Sequence, residues 1–196
     1  MTIYNRIIFF LWIFFAAFWA IAALGVKRSS GRRPWRPEVV YRLVVVAAMI
    51  VLLRDRSGLR AVRAARLYAA QTPLLGFLGV ALCVLGVGLA IWARIHLGRN
   101  WGMPGSRKQQ PEIVTSGPYA YIRHPIYSGV LLAMVGSAFG ESPIWGLALL
   151  FVPPYFIYCA RREEHLMLEE FPTQYAAYMR RTRMLLPRLR RHSHAR

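Results

Sequence analysis

The sequence is poor in cysteine and in any pattern that would bind a metal. Its two cysteines, Cys83 and Cys159, both fall inside apolar segments. Neither belongs to a C-x-x-C motif or to another spacing typical of metal ligands. We therefore predict no disulfide, no redox centre and no metal, and we interpret both thiols as small core residues.

Acidic residues and lysines are also scarce. The chain has 8 acidic residues against 26 basic ones, for a formal net charge of +18, and only Lys27 and Lys108 among the basic residues are lysines. A basic excess can indicate nucleic-acid binding, but here the arginines adjoin apolar runs, as expected for membrane orientation and anionic headgroups. We expect membrane lipids and no nucleic acid as partners. The preference for arginine hints at a GC-rich, bacterial genome.

Apolar sequence is what the chain has in abundance, at 56% of its residues. Five apolar runs are candidates for membrane spans, and they cover Ile3–Val26, Val39–Leu53, Leu74–Ile95, Ile126–Phe139 and Pro143–Ala160. The first is interpreted as an anchor because no cleavage site follows it. The predicted fold is an all-α integral membrane protein with about five transmembrane helices and a C-terminal cytosolic helical segment.

Five spans place the loop Lys27–Pro37, the segment His96–Pro125 and the basic C-terminus on one face. The positive-inside rule makes that face cytoplasmic, which predicts a bacterial inner-membrane protein with its C-terminus in the cytoplasm. The arginines between Arg54 and Gln71 would lie on the other side, and they favour a helix lying flat on the membrane surface. The chain divides into an N-terminal part, residues 1–95 with three spans, and a C-terminal half, residues 96–196.

Small residues and prolines give more local predictions. Four glycines in the third run suit close helix packing in lipid, namely Gly76, Gly79, Gly86 and Gly88. Pro153 and Pro154 are expected to break or kink the fifth run, because proline lacks the N–H that an interior helical position donates.

A polar and aromatic stretch, "GPYAYIRHPIYSG" from Gly117 to Gly129, precedes the fourth run. Pro125 disfavours helical geometry at His124 and predicts a helix that starts at Pro125 or Ile126. Taken one at a time, Arg123 can mark a membrane boundary, His124 can be an ordinary loop histidine, and the tyrosines can form an interfacial belt.

Half of the acidic residues lie together just after the fifth run, with Glu163 and Glu164 first. By the predicted topology this pair lies on the same face as the "RHP" residues. Carboxylates there can bind a cationic group or hydroxyls, or accept a proton. The alternative is that the pair starts a helix and interacts only with its dipole.

Together these segments resemble a known family. "LGRNWG…IVTSGPYAYIRHPIYSGVLLAMVGSAFG" followed by "RREEHLMLEEFPTQYAAYMRRTRMLLP" is similar to the isoprenylcysteine carboxyl methyltransferases, which belong to a wider group with the phospholipid N-methyltransferases. The resemblance covers about Ile91–Pro187. It implies S-adenosylmethionine as the methyl donor, a cytosolic cofactor pocket before and after the helical hairpin, and a lipophilic acceptor that arrives from the bilayer.

The resemblance also implies roles for individual residues. The residues matching its cofactor-contacting motif and acidic pair are Gly117, Tyr119, His124, Pro125, Tyr127, Glu163 and Glu164. Those matching its reaction centre or the binding of polar substrate groups are Glu164, Arg123, Arg161 and Arg162. The chain departs from the family at Phe171-Pro172, where the family commonly has Phe-Gly. This substitution is expected to reshape the turn and to affect contacts from Gln174 and Tyr175.

The sequence leaves the acceptor and the oligomeric state open. A carboxylate acceptor would need a cation and an amine acceptor a carboxylate, and the segment contains both. Two other classes compete with a methyltransferase. One is a membrane NADPH-dependent reductase, because the sterol reductases have a similar C-terminal half; the other is a non-enzymatic membrane scaffold.

Overall fold

The computed structural model describes residues 2–23, 72–98, 112–141 and 144–187. Within these ranges the chain is helical, and the helices are α1 (Ile3–Ala23), α2 (Pro73–Leu97), a 3₁₀ turn (Gly117–Ala120), α3 (Pro125–Gly140), α4 (Ile144–Glu170) and α5 (Pro172–Arg181). The all-α prediction is confirmed for this part of the chain. The predicted span Val39–Leu53, the loop Lys27–Pro37 and the surface helix before Gln71 lie outside the described residues.

Among the described helices, two are long and apolar enough to cross a membrane, namely α1 through Ala22 and the whole of α2. Only 6% of the apolar window of α1 is buried inside the protein, so most of its apolar surface faces outward. α3 is apolar but has only 16 residues, fewer than a perpendicular span needs. By length and composition, α1 and α2 are thus compatible with membrane spans.

Small residues let α2 and α3 approach until their backbones touch. A Cβ atom added to Gly86 would lie 2.4 Å from the backbone nitrogen of Ala133, and one added to Gly136 would lie 2.5 Å from that of Cys83. Gly79 meets α3 in the same way. The predicted packing role is confirmed for Gly79 and Gly86, and Gly76 lies against the Tyr4 ring of α1. At Gly88 an added Cβ would meet none of the described residues within 4 Å.

α1 packs onto this pair through an aromatic residue with a polar edge. The indole nitrogen of Trp12 donates a hydrogen bond of 2.9 Å to Ser137 Oγ, and Ser137 Oγ donates to the Ala133 carbonyl at 2.9 Å. The Trp12 ring also stacks on Trp145, with ring centroids 5.1 Å apart. Buried polar groups need such partners, so these bonds fix the orientation of α1 against α3 and α4.

α4 is one helix from its apolar half to its charged half. Pro153 and Pro154 lie inside it, and the helix continues to Glu170. Of the predicted break or kink, the break is therefore wrong. In apolar surroundings the helix is the conformation that satisfies the remaining backbone groups, so prolines are tolerated there. The charged residues after Ala160 are therefore carried on the same helix as the apolar ones.

The α2–α3 contact yields a prediction with a matched control in the same helix. Gly86→Ala should lower stability by about 1–3 kcal/mol, because its methyl group would collide with the α3 backbone. Gly88→Ala should be neutral or slightly stabilising, because the methyl is unopposed and alanine favours the helix. Thermal unfolding in detergent measures both; equal melting temperatures for the two variants would contradict the described contact.

Candidate functional site

The loop before α3 has a conformation that its sequence requires. Gly117 has a φ of +57°, in the left-handed region, and a Cβ there would lie 2.4 Å from Nε2 of His96. The 3₁₀ turn follows, and His124 then caps α3 with a non-helical backbone (φ −124°, ψ 61°). Pro125 occupies the first turn of α3, which confirms the predicted helix start.

The segment after α5 pairs with this loop, a contact that the sequence analysis did not predict. The backbone nitrogen of Arg123 donates to the Arg183 carbonyl at 2.9 Å, and that of His124 donates to the Met184 carbonyl at 3.0 Å. The hydroxyl of Ser128 donates to the Leu185 carbonyl at 2.5 Å. We call Thr182–Leu185 the C-terminal strap.

Arg123, His124, Glu163 and Glu164 form a charged cluster between the loop and α4. Glu164 Oε1 accepts hydrogen bonds from Arg123 Nε at 2.6 Å and from His124 Nε2 at 3.2 Å. The other ring nitrogen of His124 lies 3.5 Å from Glu163 Oε2. The side chains of Arg123, His124 and Glu164 are 9%, 8% and 7% exposed, whereas that of Glu163 is 30% exposed. Glu163 therefore presents the accessible carboxylate of the cluster.

The charges in the cluster support one another. Burial by itself would lower the pKa of His124, but hydrogen bonds and negative charge from Glu163 and Glu164 outweigh it and raise that pKa. Burial would raise the pKa of Glu164, but His124 and Arg123 outweigh it and hold that pKa below its ordinary value. Opposite charges on His124 and Glu164 are thus favoured together.

Aromatic rings stack in a row beside the cluster. The rings of His124 and Tyr127 are nearly parallel with centroids 5.5 Å apart, and those of Tyr127 and Phe156 are 4.5 Å apart. The Tyr127 hydroxyl donates to Glu163 Oε1 at 2.7 Å. A carboxylate next to aromatic faces is an arrangement that can bind an organic cation.

Tyrosines of α5 support the Gly-Pro-Tyr segment. The hydroxyl of Tyr178 donates to the Tyr119 carbonyl at 2.7 Å, and both side chains are buried. Burial raises the pKa of Tyr178 to about 12, so the phenol stays a neutral donor. Pro172 begins α5, which leaves Tyr175 buried and Gln174 exposed. Phe171-Pro172 therefore lies at the α4–α5 boundary.

The structure brings most of the predicted site residues together but not all. Arg123, His124, Pro125, Tyr127, Glu163 and Glu164 converge, with Gly117 and Tyr119 in the adjoining turn. Arg161 is exposed, and in the described part of the chain it makes none of the cluster's hydrogen bonds or ion pairs; Arg162 is half-buried. The alternative that the glutamate pair starts a helix is wrong, because both residues lie inside α4.

Some residues of the site carried no functional prediction. Ser128 binds the strap through the Leu185 carbonyl, and Thr182, the first residue of the strap, accepts a hydrogen bond from Arg123. Phe156 completes the aromatic row. The repeated tyrosines of the last helix signalled Tyr178, because they formed part of the recognised pattern. Thr182 and the strap gave no such signal, since their contacts run through backbone carbonyls.

Comparison of the sequence with known proteins identifies a family that includes these site residues. The sequence profile described as phospholipid methyltransferase matches residues 74–174, just over half of the chain. The match begins in α2 and ends in α5, so it includes the whole charged cluster and the aromatic row.

Three curated relatives are similar over ranges longer than the profile match. The nickel-cobalt-cadmium resistance protein NccN of Alcaligenes xylosoxydans xylosoxydans is 30% identical over 76% of this chain and 64% of its own length. The cobalt-zinc-cadmium resistance protein CzcN of Cupriavidus metallidurans is 34% identical over 59% and 49%. Protein-S-isoprenylcysteine O-methyltransferase B of Arabidopsis thaliana is 33% identical over 53% and 54%. The chain thus spans about half to two thirds of these relatives.

The pKa shifts predict how the cluster responds to pH. Because the pKa of His124 is raised, its contribution to stability is complete below its ordinary value of 6.5 and is lost as the pH rises through the raised value. Because the pKa of Glu164 is lowered, its contribution is complete above 4.5 and is lost as the pH falls through the lowered value. Both contributions are complete between these ordinary values.

Glu164→Gln should therefore cost roughly 3 kcal/mol of stability, since it leaves buried cations unpaired. The difference in melting temperature from wild type should be largest between pH 4.5 and 6.5 and should shrink on either side. Glu169→Gln is the control, because Glu169 pairs with the exposed His165 on the same helix and such pairs contribute little. A difference that does not vary with pH would contradict the assigned charges.

Proposed function

The chain belongs to the phospholipid methyltransferase family, and on this basis we propose that it is an integral-membrane, S-adenosylmethionine-dependent methyltransferase acting on a lipophilic acceptor. The observation that carries the proposal is the row His124–Tyr127–Phe156 beside the accessible carboxylate of Glu163. Here aromatic rings and a partly exposed carboxylate lie beside the buried charges of Arg123, His124 and Glu164.

The chemistry of these groups fits the proposed cofactor. S-adenosylmethionine carries a sulfonium, an amino group and two ribose hydroxyls, and when bound it supplies an activated methyl group. Carboxylates accept hydrogen bonds from amino groups and hydroxyls, and aromatic faces attract a positive sulfonium. Tyr127 and Glu163 would hold these groups. Glu164 would keep His124 in its orientation through their hydrogen bond. Other residues of the loop would line the site, namely Gly117, Tyr119 and Pro125.

The work of the protein in such a reaction is mostly alignment and exclusion of water. The aromatic row attracts the positive charge of the sulfonium, and that charge disappears as the methyl group moves. The buried hydrogen bonds of Glu164 keep the wall in place during transfer. Arg161 and Arg162 remain candidates for polar groups of the acceptor, since both lie one turn or less from Glu164.

The acceptor is proposed only by class. The family name points to lipids, whose acceptor is an amine, whereas the Arabidopsis relative is named for a carboxylate acceptor on isoprenylcysteine. The names of the two metal-resistance relatives say nothing about an acceptor. Leu150 and Phe151, on the apolar half of α4, are each 65% exposed and give an acceptor in the bilayer an apolar approach to the site.

The proposed orientation follows from charge. The exposed arginines Arg180, Arg181 and Arg183 lie beside the site at the end of α5, and basic segments stay on the cytoplasmic side of a membrane. We therefore propose an inner-membrane protein with the C-terminus and cofactor site in the cytoplasm, where S-adenosylmethionine is available.

Calorimetric titration of the detergent-purified protein tests the cofactor assignment. We expect micromolar binding, on the order of −8 kcal/mol, for S-adenosylmethionine and S-adenosylhomocysteine, lost in Glu164→Ala, with no binding of NADPH. Glu169→Ala, an exposed glutamate on the same helix, should bind as wild type does. Binding of NADPH alone would instead favour the reductase, and binding of none of the three in lipid nanodiscs as well as detergent would favour a scaffold.

The role of Tyr127 can be tested with two substitutions. Tyr127→Phe removes the hydrogen bond to Glu163 but keeps the aromatic face, whereas Tyr127→Leu removes both. If the aromatic row attracts the sulfonium, Tyr127→Leu, which interrupts the row, should weaken S-adenosylmethionine about three- to tenfold more than the uncharged S-adenosylhomocysteine. Tyr127→Phe should weaken both ligands equally. An equal loss of both ligands in Tyr127→Leu would contradict a cation–π contact.

A further inference from the structure

We propose that Arg123 is a positioning residue, which holds Glu164 in place and fastens the C-terminal strap to the cofactor loop. The binding test of this inference uses S-adenosylhomocysteine and therefore rests on the proposed function. Its second test, backbone hydrogen–deuterium exchange, does not. It assigns Arg123 a different task from the binding of polar substrate groups that the family resemblance implied.

The guanidinium group of Arg123 connects three elements of the fold. Its Nε donates to Glu164 Oε1 on α4 at 2.6 Å, and its Nη1 donates to the Thr182 carbonyl at 2.5 Å and to the Met179 carbonyl at 3.3 Å. The side chain is 9% exposed. Two of its three nitrogens are thus occupied by protein groups in a nearly closed environment.

Two of these contacts satisfy the end of α5. Met179 lies in its last turn and Thr182 is its C-cap, and carbonyls at a helix end lack partners within the helix. A cation at this end also interacts favourably with the helix dipole. The flat guanidinium fork can donate to a carboxylate and to these carbonyls at once, which a single ammonium group cannot do in the same geometry.

The backbone of Arg123 completes the connection. Its N–H donates to the Arg183 carbonyl, and the next N–H, that of His124, donates to the Met184 carbonyl. The strap therefore fixes the residue whose ring contacts Glu163 and Glu164. Through Glu164 and through the strap, Arg123 controls the orientation of His124 and hence the end of the aromatic row.

Binding an anionic acceptor with the same nitrogens would have a cost. Arg123 would have to release Glu164 or the end of α5, leaving a buried carboxylate or buried carbonyls unpaired. The geometry therefore favours a permanent structural partnership over a contact that forms and breaks in each catalytic cycle.

The test compares Arg123→Gln and Arg123→Lys with Arg181→Gln, an exposed arginine at the end of α5 that removes the same charge. S-adenosylhomocysteine affinity is measured by calorimetry over roughly pH 5 to 8, and backbone exchange by hydrogen–deuterium mass spectrometry. Arg123→Gln should weaken binding at least about tenfold. It should also move the acidic limit of binding to higher pH, because the pKa of Glu164 rises without its guanidinium partner.

Backbone exchange gives the second readout. In Arg123→Gln the amides of His124 and Thr182, which bond to Met184 and Tyr178, should exchange faster. Arg123→Lys should restore part of the affinity but not the slow exchange, and Arg181→Gln should match wild type in both. The proposal is overturned if Arg123→Gln keeps wild-type affinity, pH profile and exchange and only the KM of an acceptor increases.

Two outcomes separate the proposals. Failure of the wild-type protein to bind S-adenosylhomocysteine would contradict the proposed function, and exchange at His124 would still decide the role of Arg123.

If Arg123→Gln does not fold, Ser128→Ala is the second variant, because it removes the side-chain bond to the Leu185 carbonyl and leaves the cluster intact. It should speed exchange at His124 and weaken the ligand about two- to fivefold; no change in either would overturn the strap's role.

Discussion

Burial of the Glu164 carboxylate is the constraint around which the site is organised. A carboxylate removed from water is strongly destabilising unless cations and hydrogen bonds compensate it, and here Arg123 and His124 supply both. Each of these partners belongs to the loop before α3, whereas Glu164 belongs to α4. The electrostatic requirement of one side chain thus dictates how the loop meets the second helix of the hairpin, and the aromatic row follows from that placement.

The glycine contact between α2 and α3 determines where the loop can lie. Backbones in contact at Gly86 and Gly136 leave little freedom for α3 to slide or rotate. The start of α3 is then fixed relative to the end of α2, where the ring of His96 fits against Gly117. The packing of α2 against α3 therefore positions the loop before α3. That loop carries Arg123 and His124, the groups that pair with Glu164.

The sequence predicted the features that depend on local signals. Apolar runs gave the helices, Pro125 gave the start of α3, and the recognised motifs gave the pairing of the loop with Glu163 and Glu164. The break expected at Pro153 and Pro154 does not occur. Intrinsic propensity penalises proline, but in apolar surroundings a helix is the conformation that satisfies the other backbone groups. The sequence analysis also missed the strap. Its hydrogen bonds join backbone groups of residues some sixty positions apart. Such bonds require no particular side chains, so the sequence contains no pattern that would predict them.

The continuity of α4 has a geometric consequence for any acceptor in the bilayer. Phe156 in its apolar half and Glu163 in its charged half both contact Tyr127, and a helix rises 1.5 Å per residue, so they are separated by about 10 Å along the axis. Because both residues lie on one continuous helix, their separation along its axis is set by the helix itself. Under the proposed function, acceptors are selected by the distance between reactive group and hydrocarbon tail, in addition to the chemistry of the group itself.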